Sequence, residues 1–320
     1  NGVIVIDTKH GSKGKTRINY SQNYTFSSKP SLSSLPLMNS TQVLDLEQEL
    51  IDRGIVADPA LATSLYNSTP ISRGMEIMFE QERGNISEAE RENQLNILRE
   101  RNNYNQITQY LLQPSSSKTY NLSLSGGKGD YTYFTSASYA KEETQTKGND
   151  GKRLTLTANQ NFKLFDYAEV STSLKGSFFD FNQNGIGLNP LSGSLTTFLP
   201  YNEILDENGE SVSYDRAFYS SDIANFEAAG YLPWGYNYID ELQNSNKTIH
   251  EQNYSANVQI ALPITKGLSA SGTYFIERSY KDNPNIYNQD TYYTRDLINQ
   301  ATFLDPTTNV LSRAIPLGSI

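Results

Sequence analysis

Cysteine is absent from this chain, and with it every disulfide, thiolate nucleophile and cysteine-ligated metal. Histidine is nearly absent too. His10 falls in a polar linker and His250 at the start of a strand-like segment, so a histidine-based triad or a multi-histidine zinc site finds little support. There is no excess of positive charge: 26 Lys and Arg stand against 35 Asp and Glu, a net charge of −9, with no basic stripe to attract nucleic acid. Long apolar runs are missing as well. No stretch reaches the roughly 18–20 apolar residues of a transmembrane helix, and the mean hydropathy is −0.57. Tryptophan occurs once, against 22 Tyr and 13 Phe. No catalytic residue, cofactor or metal site is expected from this inventory.

What is present is a period of two. In Ala168 to Phe178 the positions 168, 170, 174 and 178 are apolar, while 169, 171, 173, 175 and 177 are polar or charged. A strand sends successive side chains to opposite faces, so such a segment has one apolar and one wet face. The same beat runs through Ile18–Phe26, Tyr120–Ser125, Tyr131–Tyr139, Leu154–Phe162, Tyr254–Leu262 and Leu268–Glu277. The polar face carries Arg17, Asn19, Asn23, Arg153, Asn159, Glu169, Lys175, Asn257, Gln259 and Glu277, a set suited to a solvated lumen rather than a dry core. Transmembrane barrels hide from hydropathy scans in this way, because only every second residue meets lipid, and their interfaces favour amphipathic aromatics such as Tyr.

Connections between these segments alternate in length. Gly126-Gly127-Lys128-Gly129, Leu164-Phe165-Asp166 and Pro263-Ile264-Thr265-Lys266-Gly267 predict tight turns, whereas 28–117, 142–150 and 181–246 are longer. Outer-membrane barrels sort their loops by rim in this manner. Strands are expected at 16–27, 118–125, 130–141, 151–163, 167–180, 247–262 and 268–279, as one antiparallel meander in chain order. Within the first long loop, Ser40 precedes a helical pattern with Val43, Leu46 or Glu47, and Leu50 on one face, stopped by Gly54. Ser87-Glu88-Ala89-Glu90 reads as a capping box opening a helix through Leu95 and Leu98. Asp206-Glu207-Asn208-Gly209 lacks calcium-loop spacing and reads as a turn. Val3-Ile4-Val5-Ile6 is continuously apolar, as for the last strand of a separate small domain, and Lys9 to Lys15 forms a polar, glycine-rich linker. Residue 1 is Asn, so processing or truncation upstream is expected.

Several of these segments are specific. Asn1-Gly2-Val3-Ile4-Val5-Ile6-Asp7-Thr8-Lys9-His10-Gly11 resembles the end of the plug domain in SusC/RagA-type TonB-dependent outer-membrane transporters, which closes with N-G-V-I-x-I-x-T-K-x-G. Pro36-Leu37-Met38-Asn39-Ser40 resembles the family's next landmark. Asn121 to Gly127, ending in Ser-Gly-Gly before a Tyr-rich strand, resembles a third, and all three fall in family order. The resemblance implies an all-β fold: an antiparallel transmembrane barrel, of which about seven strands are present, with long, partly helical extracellular loops and the last plug strand. Residues 1–15 would be the plug end and linker, and 16–320 the N-terminal part of a barrel of about 22 strands. It further implies outer-membrane location, a SusD-like surface lipoprotein, a TonB complex engaged through a region absent here, and import of oligosaccharides or peptides. The other function class left open is a surface-exposed β-rich protein that binds a glycan or envelope component without transport. Tyr231, Trp234, Tyr236 and Tyr238, in the long loop, are the candidate substrate- or partner-binding residues, since rings with polar tips suit sugars, peptides and interfaces. Their alternative role is to pack the loop against its neighbours. Seven strands cannot close around a plug, so two unpaired edges are expected.

Overall fold

The computed structural model describes residues 9–62, 68–164, 167–186, 198–318 and 320. Seven long strands form one antiparallel sheet: β1 (Gly14–Ser27), β2 (Ser115–Lys128), β3 (Tyr131–Glu143), β4 (Asn149–Leu164), β5 (Ala168–Gln183), β8 (Ser245–Thr265) and β9 (Leu268–Asp282). Between β5 and β8 lies a small hairpin, β6 (Ser213–Tyr214) with β7 (Tyr236–Asn237). After β9, the short β10 (Asn285–Tyr287) pairs with β8, and β11 (Thr302–Leu304) pairs with β12 (Leu311–Arg313). The long strands neighbour one another in chain order, as the alternation predicts. They run one to three residues past most expected ends. Gly129, with φ +62°, makes the turn between β2 and β3, and the β8–β9 turn closes at Gly267. Residues 165 and 166 of the expected third turn, and the Val3–Ile6 strand, lie outside the described residues. Among those described, β1 pairs only with β2, and β9 only with β8, so each has one edge without a strand partner.

Tight turns and loops sort to opposite rims. The loop rim holds helices α1 (Ser40–Asp52), α2 (Arg73–Glu82), α3 (Glu88–Glu100) and the short α4 (Tyr104–Gln106) between β1 and β2. It also holds α5 (Ser220–Ala228) and α6 (Tyr238–Asn244) between β5 and β8, and α7 (Tyr292–Gln300) follows β9. Ser87 caps α3, accepting the Glu90 N–H, which is one half of the expected capping box, and Leu95 and Leu98 are buried. For α1 the structure corrects two details. Ser40 is the first helical residue rather than the one before it; the N-cap is Asn39, which forms a capping box with Gln42. The inward face holds the expected Val43 and, of the two alternatives, Glu47 rather than the exposed Leu46; Leu44 and Ile51 complete it, and Leu50 is only partly buried. The Tyr201 hydroxyl donates to Glu47 at 2.6 Å, a partner 154 positions away that makes a buried carboxyl tolerable.

The placement of the core decides how the sheet must be read. Val43, Leu44, Met75, Ile77, Met78, Phe79, Leu95, Leu98 and Tyr201 form one buried cluster; Ile107, Leu111, Leu112, Ile204 and Tyr238 form a second. Both lie in the loops. None of the buried hydrophobic side chains belongs to β1–β5, β8 or β9. Those strands instead expose Ile18, Tyr20, Phe26, Leu122, Leu156, Leu174, Ile260, Leu262 and Ile276 among others. The register puts these on one face: Ile18 pairs with Leu124, then in turn with Thr135, Ala158, Leu174 and Ala256. The polar face is partly covered, and its Asn159 is buried. The Asn159 side chain donates to the Lys9 carbonyl at 2.9 Å and accepts from Ser173 at 2.8 Å. The linker therefore crosses this face. At Gly11 a Cβ would stand 2.4 Å from the Tyr133 backbone, so only glycine permits the approach.

The exposed apolar band also drifts along the sheet. On β1 it runs from Ile18 to Phe26, and on β8 from Tyr254 to Ile264. Followed through the register, Phe26 aligns with Thr248 and Ile18 with Ala256. The band on β8 thus sits six residues lower at its top and eight lower at its bottom, over five strand steps. With about 3.3 Å per residue and about 4.8 Å between strands, a level band requires a lean of roughly 40–48°. Closed transmembrane barrels tilt their strands by about 35–45°.

Candidate functional site

The four aromatic candidates all fall in the loop between β5 and β8, in two adjoining clusters. Phe218, Phe226, Tyr231 and Trp234 meet with ring centroids 5.1–6.0 Å apart. Tyr236 and Tyr238 pack edge to face at 5.0 Å, joined by Phe198, Tyr214 and Tyr292. The structure brings all four candidates into one region but gives them different exposure. Trp234 and Tyr238 are buried; Tyr231 and Tyr236 are partly exposed.

Polar atoms fix each ring. Trp234 Nε1 donates to Asp296 at 2.8 Å, and its backbone N–H donates to Glu227 at 2.8 Å. Asn299 on α7 makes paired bonds with the Leu232 backbone, at 2.8 and 2.9 Å. Arg295 donates to the carbonyls of Pro233 and Gly235. The segment 231–236 is thereby pinned on α7. The Arg216 guanidinium lies 3.3 Å from the Tyr236 ring centroid and 5.8 Å from that of Tyr238, a stacked cation. Burial pushes the Tyr236 phenol up to about 12, so it stays a hydrogen-bond donor. Arg216, Asp296 and Asn299 were not singled out from the sequence, where nothing links residue 216 or the helix at 292–300 to the aromatic run.

A cleft of about 290 Å³ opens beside this region, between α2, α3 and the segment 199–220. Arg73, Glu76, Arg101, Glu203, Asp215 and Tyr219 line it, with both signs of charge. Arg101 pairs with Glu203 at 3.1 Å and Arg73 with Glu76 at 2.8 Å. Burial, with the charges of Glu227 and Glu76, pushes the Asp215 carboxyl up to about 6. Such a lining offers hydrogen bonds and charges to a zwitterionic or polyhydroxylated ligand. No group of three or more His, Cys, Asp or Glu able to hold a metal occurs among the described residues. Asp206 makes the expected turn, its carboxylate accepting the N–H groups of Asn208 and Glu210 at 2.9 and 2.8 Å.

Neither a protein-family model nor a curated protein matches the sequence. Solved structures do. The RagAB peptide importer in the closed-closed state matches with a TM-score of 0.56 at 14% identity, over 88% of this chain and 30% of that one. A structure of the RagAB peptide transporter gives 0.55 at 14% identity, again over 88% and 30%. The open-open state gives 0.55 at 14% identity, over 88% and 29%. The likeness is one of fold, and the chain spans about 30% of the length of the proteins it matches.

Proposed function

We propose that this chain is the leading portion of the barrel of an outer-membrane importer of the SusC/RagA type. The observation that carries this reading is the uncovered apolar face. A seven-stranded sheet whose exposed band contains Ile18, Leu122, Leu156, Leu174 and Ile260, with no buried hydrophobic side chain of its own, has no stable place in water. In lipid the same face is solvated and the strand backbones satisfy each other. The lean deduced from the drift of the band, the sorting of loops to one rim and the likeness to RagAB importer structures support the same assignment.

In this reading residues 1–15 are the end of a plug and its linker, and the unpartnered edges of β1 and β9 meet further strands of the barrel. A SusD-like lipoprotein closes over the loop rim, and TonB drives import through a region outside this chain. The cargo class is peptide or oligosaccharide. Tyr231 and Tyr236 offer partly exposed ring faces to cargo or lid, while Trp234 and Tyr238 hold those rings in place. No step of covalent chemistry is assigned to the chain.

The protein carrying this chain is expected in the outer-membrane fraction, with heat-modifiable gel migration. Its deletion should abolish growth on peptides or oligosaccharides too large for porins while sparing growth on their monomers. A protein recovered in the aqueous fraction, or a deletion that leaves uptake intact, refutes the proposal and favours a surface-binding role without transport.

A further inference from the structure

The outward face of the sheet carries charge in an ordered place. Lys118 pairs directly with Lys141, and Lys141 with Lys152, so three lysines on β2, β3 and β4 stand side by side in one register row. All three are exposed. They sit at the loop-side margin of the apolar band. Below them, the outward positions of β2 to β5 are uncharged until Lys128 at the turn. Arg278 belongs to the same margin. Three strand steps beyond β4 the register row reaches Asp282, and Arg278 lies four residues lower, the drop that the lean requires over three steps.

Like charges directly opposite one another destabilise a sheet unless something neutralises them. Local partners do so only in part. Lys141 reaches Glu143 at 3.2 Å and Lys152 reaches Asp180 at 3.4 Å, both exposed pairs of the kind worth little in water. Asp180 is shared with His250 at 2.7 Å, and the Lys118 ammonium lies 5.4 Å from the Tyr24 ring centroid. Below the lysines the outward face is hollowed where Ala137 and Gly176, in the second outward row, and Ala158, in the third, replace larger side chains. This apolar depression is about 440 Å³, walled by Leu122, Leu174 and Tyr254.

We infer that this row is a binding site for the phosphate groups of an outer-leaflet lipid, with an acyl chain of that lipid lying in the hollow beneath. The inference rests on the membrane reading above and adds a ligand to it. Three ammonium groups on strands about 4.8 Å apart span the width of a phosphorylated headgroup. Charge complementarity and continuity with the apolar band select a lipid over a soluble anion, which would leave the hollow empty.

The test uses the intact membrane protein purified in neutral detergent, with lipid A and its dephosphorylated form as probes. Basic residues at an anionic surface contribute roughly fivefold each, and Glu143 and Asp180 offset part of that. The variant K118Q/K141Q/K152Q is therefore expected to retain lipid A about tenfold less well than wild type. The wild-type preference for the phosphorylated probe should vanish, and K118R/K141R/K152R should keep it. Heat-modifiable migration reports folding of every variant. Equal retention by wild type and the glutamine variant, or no preference for phosphate in a folded, membrane-inserted wild type, overturns the inference and leaves the barrel standing. A wild type that fails to insert overturns both.

Discussion

Leu174→Arg puts the membrane reading at direct risk. Leu174 is 51% exposed and lies near the middle of the outward stretch Ala168–Phe178 on β5, between the small neighbours Ala158 and Ala256. If the band faces water, an exposed Leu-to-Arg change is worth within about 0.5 kcal/mol either way. If it faces the bilayer midplane, a guanidinium there costs about 2–4 kcal/mol. The second case shifts the folding equilibrium by about thirty-fold to several hundred-fold, since each 1.4 kcal/mol is tenfold. The control is Ser171→Arg on the same strand. Ser171 points to the other face, between Asn161 and Gln259, where a charge stays solvated. Urea unfolding of the protein in phosphatidylcholine bilayers, followed by heat-modifiable migration, measures both. A loss for Leu174→Arg that exceeds the Ser171→Arg loss by 1.5 kcal/mol or more is expected. Equal and small losses would refute the assignment of faces, and with it the lipid-facing band.

Two further outcomes concern the loop core. Burial, partly offset by the Tyr201 and Ser72 hydroxyls, pushes Glu47 up from 4.5 to about 7, so folding takes up a proton between about pH 4.5 and 7. Loop stability should fall as pH rises through that window and level off above it, by up to about 3 kcal/mol, and Glu47→Gln should remove the slope in thermal unfolding followed by circular dichroism; a slope that persists in the variant rejects Glu47 as its source. Asp296→Ala strips the acceptor from the buried Trp234 N–H, a loss of about 1–3 kcal/mol, and because Trp234 is the only tryptophan its emission should shift to the red at lower urea than in wild type, with coincident curves counting against the pinning of 231–236 on α7.

How much of this was visible beforehand follows from where each signal resides. The sheet was legible because successive side chains of a strand point to opposite faces, so β4 and β5 announce themselves by alternation within a ten-residue window. Pairing order and turn rims followed from loop lengths alone. The strands run past their expected ends because β3, β5 and β8 continue above the apolar band as polar hairpins. The alternation has stopped by Glu142 and Asn182, but the backbone pairing has not. The helices α2, α5, α6 and α7 were not anticipated. Each is seven to ten residues long, and their inward faces are defined by contacts with distant segments. At Glu47 helical spacing from Val43 left Leu46 and Glu47 as alternatives, and the Tyr201 hydroxyl, 154 positions away, is what makes the carboxyl the inward one. For the aromatic run the residue choice was available from sequence, but the division between buried Trp234 and Tyr238 and accessible Tyr231 and Tyr236 was not. That division is made by Asp296, Arg216 and Phe218, at 20 or more residues' remove in most cases.

The lysine row shows the same limit from the other side. Lys118, Lys141 and Lys152 are unremarkable in sequence, each one charge among several near a strand end. They become a group only when register is known, because strand pairing converts sequence separations of 23 and 11 into adjacency. The hollow of Ala137, Ala158 and Gly176 is likewise created by pairing, from three strands that each contribute one small residue. Chain-order alternation thus fixes which solvent a face meets, while register fixes what that face can bind. The loops obey neither rule. They carry their own buried clusters and fold by packing around Leu44, Met75 and Leu95, as soluble domains do. Low mean hydropathy therefore hides two apolar sets: the apolar residues divide between a dry core in the loops and an exposed band on the sheet, and neither needs a long apolar run.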